Sequence, residues 1–576
     1  MSHTPNYDTK VKAILDGLTP GETVCEMTGE KWLMDAEEME MYRRFNVPPS
    51  PFSPKGRLWH LSAYWTAYQW WWNKHFDTSV PVLTYVHPAT GIRVLPDKEW
   101  FARDFSDTFL EPSLEALFFE QFRKLQLRVP VNATRNVKEP ENSISTVSIG
   151  DSNSYFAHAS RSKNCLYVAD CVDAENCVEC SGSVAVTECY QVGHSQRMHR
   201  CSFSNESSDC ISSAFLFDCR NCENCFGASN KRNKKYLWWN EQLTKEEWER
   251  RMAEVIPMNA TSLAALREKY MTMIRTEAIW PENFNQQSEN CVGDYMIRCT
   301  NCKDSWFGME SHDNAHCFGF YNSGNNAYAT IITGENNYQG GMNGESSNTK
   351  FSASLIRSDD CEYSFNCYDC VHCFGCVGLR HKSFCIFNKQ YTEEEYWKKV
   401  DELKCAMLDR GEYGRPLPMS STFSYFPESG TAMYLGAEPK DWDKIGMPKF
   451  EASADGAFGA LREGSKPARS ASELPETIAE LNPEEWAGVP IEDHELNRPF
   501  TLLKPEIEFY KKNMIPPPRQ HFIARMRDLM WMQNTGIMEK MACFNCKKQI
   551  TSCVSRLFRE RRVYCYQCYL SYLESH

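Results

Sequence analysis

This 576-residue sequence contains no apolar run approaching the roughly 18 residues that cross a bilayer, so a membrane span is not expected. Its amino terminus, MSHTPNYDTKVKAILDG, lacks the basic region and apolar stretch of a secretory leader, and a cytoplasmic protein is expected. Positive charge is not in excess: 63 Lys and Arg against 76 Asp and Glu leave a net −13, which argues against nucleic acid coating the whole surface. No phosphate loop, dinucleotide fingerprint or GxSxG elbow is present. His158, His194, His199, His312, His316 and His372 show no repeated metal-ligand spacing. No convergent catalytic set emerges, and the reading leans away from an enzyme. With 42% hydrophobic and 24% charged residues, wholesale disorder is excluded, and the length suffices for several domains.

What the sequence has in excess is cysteine, 27 in all. An odd number, at this length and without an export signal, speaks for reduced thiols rather than a disulfide framework. Ten fall between Cys165 and Cys225, ten between Cys291 and Cys385, and five from Cys543 onward. Cys165, Cys177, Cys189 and Cys201 lie 12 apart, as do Cys210 and Cys222. The residue before each is mostly polar: Asn164, Asn176, Glu188, Arg200, Asp209 and Asn221. Twelve is even, so an extended chain would return each cysteine to one face. A β-solenoid needs such a rhythm, because stacked turns bury like residues on like. The second cluster carries a looser version, with Cys291, Cys302, Cys317, Tyr328, Tyr338, Cys361 and Cys373 as successive register positions. One turn of the solenoid is either a single such interval or two in succession.

Two duplications lie over this rhythm. CFGASNKRNKKYLWWNEQLTKEEW from Cys225 matches CFGCVGLRHKSFCIFNKQYTEEEY from Cys373 at an offset of 148. Each copy ends in a capping box, Thr244 with Glu247 and Thr392 with Glu395, opening an amphipathic helix. The helical segment SLEALFFEQFRKL at Ser113 resembles SLAALREKYMTMI at Ser262, giving a tandem pair of helix, cysteine-rich turns and helix. The chain ends are also related: EEMEMYRRFNVPPS at Glu37 aligns with PEIEFYKKNMIPPP at Pro505, offset 468, with Tyr42/Tyr510, Pro48/Pro516 and Arg57/Arg525 in step. At that offset Cys543, Cys546, Cys565 and Cys568 fall on His75, Thr78, Asp97 and Trp100, so one module keeps a metal site that the other has worn away.

The strongest chemical signal is CFNC at Cys543 followed by CYQC at Cys565. Two knuckles can bring Cys543, Cys546, Cys565 and Cys568 to one tetrahedral ion, which suits zinc and leaves no open position for catalysis. Iron with the same four sulfurs is the alternative, and Cys553 between the knuckles reads as a packed thiol. From Lys504 to the end, 13 positive against 6 negative residues give a net +7. Arg556, Arg559, Arg561 and Arg562, with Tyr564, Tyr566 and Tyr569, could meet phosphates and bases. A solvated face balancing the acidic stretch 451–500 is the plainer reading. CYDCVHCFGC offers a second candidate metal or redox cluster, Cys367, Cys370, Cys373 and Cys376. In the duplicate, however, Cys376 aligns with Ala228, which favours packed interior thiols. Asp170, Asp173, Asp218, Asp294, Asp304 and Asp313 could line a groove but read better as turn formers. The run YWTAYQWWW at Tyr64 reads as packing of the amino-terminal module.

The order of CEMTG, EWF with DF, FFEQFRKLQLRVP, the cysteine-rich turns, CFG with NxQxxxEEY, SENCVGDY, RPF with EIEFYKKNMIPPPR and the CxxC pair resembles a known set. These are the uncharacterised cysteine-rich repeat proteins of small-genome bacteria, described as zinc-binding. The resemblance spans roughly residues 25 to 570 and is weak over 410–495. It implies zinc knuckles at both ends and no particular activity. Here the first knuckle departs: PFSPKGR stands where CPxCR would be expected, and Cys25 lacks its partner.

The expected architecture is mainly β with helical insertions: a parallel β-solenoid in two tandem halves, flanked by small zinc-ribbon-like modules. The expected divisions are an N-terminal segment 1–36, a degenerate zinc-ribbon-like module 37–112, solenoid halves 113–261 and 262–409, a linker 410–500 acidic in its second half, and a helix with a zinc ribbon over 501–576. The expected function is a non-catalytic zinc-binding scaffold for a protein partner, with one structural zinc and room for more. A nucleic-acid binder using the basic C-terminal module is the first alternative, and a thiol or iron–sulfur redox protein the second.

Overall fold

The computed structural model describes residues 3–450 and 467–575; residues 451–466, where the acidic stretch begins, lie outside the described residues. The protein is rich in sheet with helical pieces between and around the strands. Its longest sheet has ten strands, from Ile144–Thr146 to Glu241–Gln242. From Leu166 onward neighbours pair in parallel at a sequence step of 12, Val178 with Tyr190, Tyr190 with Ser202, Ser202 with Ala214 and Ala214 with Phe226, whereas Tyr155 and Leu166 pair at a step of 11. The sheet is mixed rather than purely parallel, because Leu237–Trp238 meets Glu241–Gln242 in an antiparallel hairpin. Between the strands the same step recurs as single bridges, Val184 with Gln196 and Thr187 with His199. A second set of strands, from Gly293–Asp294 to Lys389–Gln390, forms sheets of five and four strands, with Asp359, Val371 and Ser383 again 12 apart.

Within each step the period is three, not two. Cys165, Val168, Cys171, Ala174, Cys177, Cys180, Ser183, Val186, Cys189 and Val192 are all buried. The residue before each, Asn164, Tyr167, Asp170, Asp173, Asn176, Glu179, Gly182, Ala185, Glu188 and Gln191, has a positive φ between 52° and 58°. A left-handed residue turns the chain, so four triplets make one step with one small residue of each triplet inside. Asn and Asp tolerate that conformation best, which explains the polar residues ahead of the cysteines. Evenness of the interval therefore assigns the right faces for the wrong reason. Cys317 leaves the column of Cys302, its partner across the step being Ser305, and Tyr328 and Tyr338, expected as register positions, also fall elsewhere. Both tyrosines are buried, but Tyr328 has φ 52° and its hydroxyl meets Glu38 of an amino-terminal helix. The register partner of Cys317 is Ala329.

The helices follow their caps. Thr392 and Glu395 form the complete reciprocal box at Glu393–Asp409. At Lys245–Val255 only half of it forms: Thr244 accepts the Glu247 N–H, while the Glu247 carboxylate is drawn away to Arg250 and Arg251. The segment 410–450, expected as linker, is packed: Leu417, Phe423, Phe426, Met433 and Leu435 are buried. Short 3-10 and α turns carry these apolar residues onto the amino-terminal module, where Trp59 Nε1–H donates to Leu435 O at 3.0 Å and Tyr434 stacks on Trp65.

The related chain ends share geometry residue by residue. Helices Ala36–Phe45 and Pro54–Ser62 correspond, at the offset of 468, to Lys504–Asn513 and Phe522–Met530. Both first helices end on a left-handed residue, Asn46 and Met514. In both copies a glutamate of the first helix pairs with a buried arginine of the second, Glu38 with Arg57 and Glu506 with Arg525. Each glutamate then receives a tyrosine hydroxyl from a strand set: Tyr328 donates to Glu38 at 2.7 Å, and Tyr167 to Glu506 at 2.8 Å. The docking is crossed, with the amino-terminal pair on the second strand set and the carboxyl-terminal pair on the first.

Candidate metal centre

The hairpin Asn534–Ala542 with Gln549–Ser555 ends in a tight turn at Cys543. Cys543 N–H donates to Lys548 O at 2.8 Å and Lys547 N–H to Cys543 O at 3.0 Å, with Lys547 at φ 63°. This knuckle aims Cys543 and Cys546 at Cys565 and Cys568, which lie at the start of the helix Tyr566–Ser575. All four Sγ atoms lie within 4.8 Å of one another, and no other such group of three or more His, Cys or carboxylate ligands occurs among the described residues. Cys546 Sγ and Cys565 Sγ are 3.7 Å apart, close to the edge of about 3.8 Å in a tetrahedron with bonds of about 2.3 Å. The donor set fits a metal ion. Burial pushes the Cys543 thiol up, but N–H groups from Cys565, Cys546 and Asn545 more than offset this and bring it down to about 6. The Cys565 N–H donates to Cys543 Sγ at 3.2 Å, a bond that favours the thiolate a metal requires.

The same hydrogen-bonded turn occurs at two places that lack the four-cysteine set. His75 N–H donates to Val80 O at 2.9 Å and Cys25 N–H to Glu30 O at 2.9 Å, matching the Cys543 turn. His75 Nδ1 accepts the N–H groups of Asp77 and Thr78, while its Nε2 meets Glu99 at 3.1 Å. Asp97 accepts from the N–H groups of Thr134 and Asn136, and Trp100 Nε1–H donates to Pro130 O. Cys25 sits against Ser53 and Gly56, where a Cβ on Gly56 would lie 2.8 Å from its sulfur. At the offset of 468 from Cys25, Asp493 accepts N–H bonds from Glu495, Leu496 and His521. At His75, Asp97 and Asp493 a side-chain acceptor receives backbone N–H bonds, as Cys543 Sγ receives that of Cys565.

The second candidate cluster is not assembled as a ligand set. Cys367, Cys370, Cys373 and Cys376 are wholly buried, one per triplet around a single step. Each thiol donates to a backbone carbonyl two residues back, those of Phe365, Tyr368, Val371 and Phe374. The first cluster behaves alike: Cys177 Sγ–H donates to Glu175 O and Val186 O, and its sulfur accepts the Cys189 N–H at 3.4 Å. Serines do the same work at equivalent positions, Ser183 accepting the Ser195 N–H and Ser195 the Ser207 N–H. Burial pushes the Cys171 thiol well above its ordinary value and Cys317 up to about 12, so both stay protonated donors. Sequence reasoning named the cysteines but missed the serines; their spacing in multiples of three was the available signal.

The four arginines separate. Arg561 is buried, donating to Cys553 O at 2.6 Å and lying over Trp280, and burial brings it down to about 10. Arg556 donates to Ala437 O and lies over Trp531. Burial removes Arg561 from the surface proposed for nucleic acid, and the guanidinium of part-buried Arg556 is engaged in packing. Arg559 is exposed, and Arg562 lies half-exposed beside Phe544. Cys553 is buried as expected and accepts the Trp306 Nε1–H. The six aspartates do not form one groove: Asp170 receives Tyr434, Asp218 receives Arg232 and Tyr569, and Asp294 receives Asn534, each at a different contact between the strand sets and the flanking segments.

No protein-family model and no curated protein matches this chain. Among solved structures, a "putative acetyltransferase from Desulfovibrio desulfuricans G20" is similar at a TM-score of 0.10 and 8% identity over 45% of this chain and 70% of that one, too little to bear on fold or function. No helix among the described residues is long and apolar enough to cross a membrane.

Proposed function

We propose that this protein is a non-catalytic cytoplasmic scaffold: two β-solenoids of 12-residue turns, clamped crosswise by their terminal modules, that hold a protein partner. One structural zinc sits in the C-terminal quartet. The observation that carries the reading is the crossed docking through Glu38–Arg57–Tyr328 and Glu506–Arg525–Tyr167, which ties both strand sets into one body with long outer faces. The interior thiols and serines are spent on backbone hydrogen bonds, a structural use that supports packing over redox chemistry or an iron–sulfur cluster. Zinc is favoured over iron because four sulfurs complete a closed tetrahedral shell without need of redox.

Metal analysis of the purified chain is expected to give one zinc per chain and no visible absorption after anaerobic preparation. Three or more ions, or a coloured protein, would overturn the packed-thiol reading. For the scaffold itself, a partner captured from native extract is purified separately and mixed with the chain. A complex of fixed stoichiometry in size-exclusion chromatography is expected. Substrate turnover abolished by one point change would defeat the proposal.

A further inference from the structure

The knuckle that holds the quartet also presents a surface. Phe544, between Cys543 and Cys546, is 51% exposed, and Tyr566, beside Cys565, is 59% exposed. Phe544 lies parallel to Tyr564, with centroids 6.3 Å apart and planes inclined by 11°. Lys547 Nζ is 5.1 Å and the Arg562 guanidinium 5.7 Å from the Phe544 ring centroid. Lys548 is exposed in the same turn, and Lys540 on the strand that leads into it. Along the strand sets several surface cations are matched across one step: Arg161 with Asp173, Arg197 with Asp209, Arg298 with Glu310 and Arg357 with Asp369. Lys547 Nζ donates to Phe544 O at 2.8 Å, and among the described residues none of Lys540, Lys547, Lys548 and Arg562 is in an ion pair with a carboxylate. The carboxylate of Glu282 reaches the knuckle, its Oε1 accepting the Tyr566 N–H at 3.0 Å.

We infer that this knuckle face, Phe544, Tyr564 and Tyr566 with Lys540, Lys547, Lys548 and Arg562, binds single-stranded nucleic acid. Flat exposed rings offer a stacking platform to any base, and unpaired cations beside them meet the phosphates that join successive bases. A duplex hides its base faces and leaves the rings without partners. An acidic peptide could meet the lysines but has no face to lay on Phe544. The inference stands on the knuckle alone and does not depend on the scaffold reading.

The test is fluorescence anisotropy with the zinc-loaded full chain and a fluorescein-labelled 20-nucleotide oligo-dT or oligo-U. The comparison probes are a blunt duplex of the same length and a polyglutamate peptide. Saturable binding of the single strand is expected, weakening with salt by a log–log slope of about −0.7 per phosphate neutralised. Phe544→Ala should weaken it about tenfold or more, the loss of one stacked base, while zinc content stays at one per chain. Lys547→Glu with Lys548→Glu should weaken it and flatten the salt slope. Arg161→Glu, a charge change at a paired site on the first strand set, should leave it unchanged. Failure to bind at about 50 mM salt, equal or tighter binding of duplex or polyglutamate, or a double-lysine variant that binds like the parent would each overturn the inference. Should Phe544→Ala lose its zinc, Tyr566→Ala carries the stacking test, and unchanged affinity there counts against it.

Discussion

At the residue scale the protein is built on triplets, and the cysteines are intelligible only at that spacing. Each left-handed residue costs on the order of 1 kcal/mol when it is neither Gly, Asn nor Asp. That cost is offset by ladder bonds such as Glu188 N–H to Glu175 O at 2.9 Å, and by an interior side chain that satisfies backbone groups turned inward. A thiol or hydroxyl can give and accept a hydrogen bond in a space that admits little more than a methyl group. Cys177→Ser should therefore cost under about 1 kcal/mol, because Ser183 and Ser195 already hold equivalent places. Cys177→Ala has a similar size but leaves the Cys189 N–H without its acceptor, and should cost about 1–3 kcal/mol. Urea denaturation separates the two; an alanine variant as stable as the serine one would show that volume alone matters. The 12-residue rhythm of the sulfurs was legible in the sequence. The threefold subdivision was carried by Asn164, Asp170, Asp173 and Asn176, whose shared spacing signals repeated left-handed turns, and a test for alternation of period two passes over it.

Among the elements, the helix pairs at the two ends repeat each other down to their salt bridges. The offset of 468 made the pairs visible in sequence as a shared pattern of glutamate, tyrosine and arginine. It could not show which strand set each pair meets, because Tyr328 and Tyr167 lie 290 and 339 positions away from their glutamates. Arg57 is wholly buried, with its guanidinium 3.5 Å from the Tyr328 ring centroid. Removing it strands a carboxylate that burial would otherwise push up and that Arg57 holds below its usual range. Arg57→Met should destabilise by about 3–5 kcal/mol, the cost of an unpaired buried charge. Replacing both partners, Glu38→Met with Arg57→Met, removes that charge and should recover part of the loss, leaving mainly the unpartnered Tyr328 hydroxyl. A double variant less stable than Arg57→Met in denaturant melts would mean that packing of the arginine stem, not charge, holds the pair in place.

For the whole molecule, one junction gathers both strand sets and the metal-bearing hairpin, and it is set up to respond to pH. Asp294, on the first short strand of the second set, is wholly buried and accepts the Asn534 Nδ2–H at 2.7 Å. Asn534 N–H donates to Tyr295 Oη, whose own proton goes to Glu206 of the first strand set. Burial pushes Asp294 up to about 6, against the smaller opposing pull of the Phe284 N–H, Asn534, the Tyr295 N–H and the nearby Arg561 charge. A carboxyl raised in the folded state stabilises most when both states are protonated, below about pH 4. That contribution is lost as pH climbs through about 6, so this junction weakens from acid toward neutral pH. The buried Asn534 Oδ1 has no partner in this arrangement, and turning the amide over would let it accept a proton from neutral Asp294. Asp294→Asn supplies that donor at every pH. It keeps an oxygen for the Phe284 and Tyr295 N–H groups and should flatten the stability profile between about pH 4 and 7, with a gain on the order of 1–3 kcal/mol at neutral pH. Glu206, also pushed up by burial, remains in the variant and leaves a residual slope of the same sign. Denaturant melts of both proteins across that range test the assignment, and parallel profiles would place the titration elsewhere in the molecule.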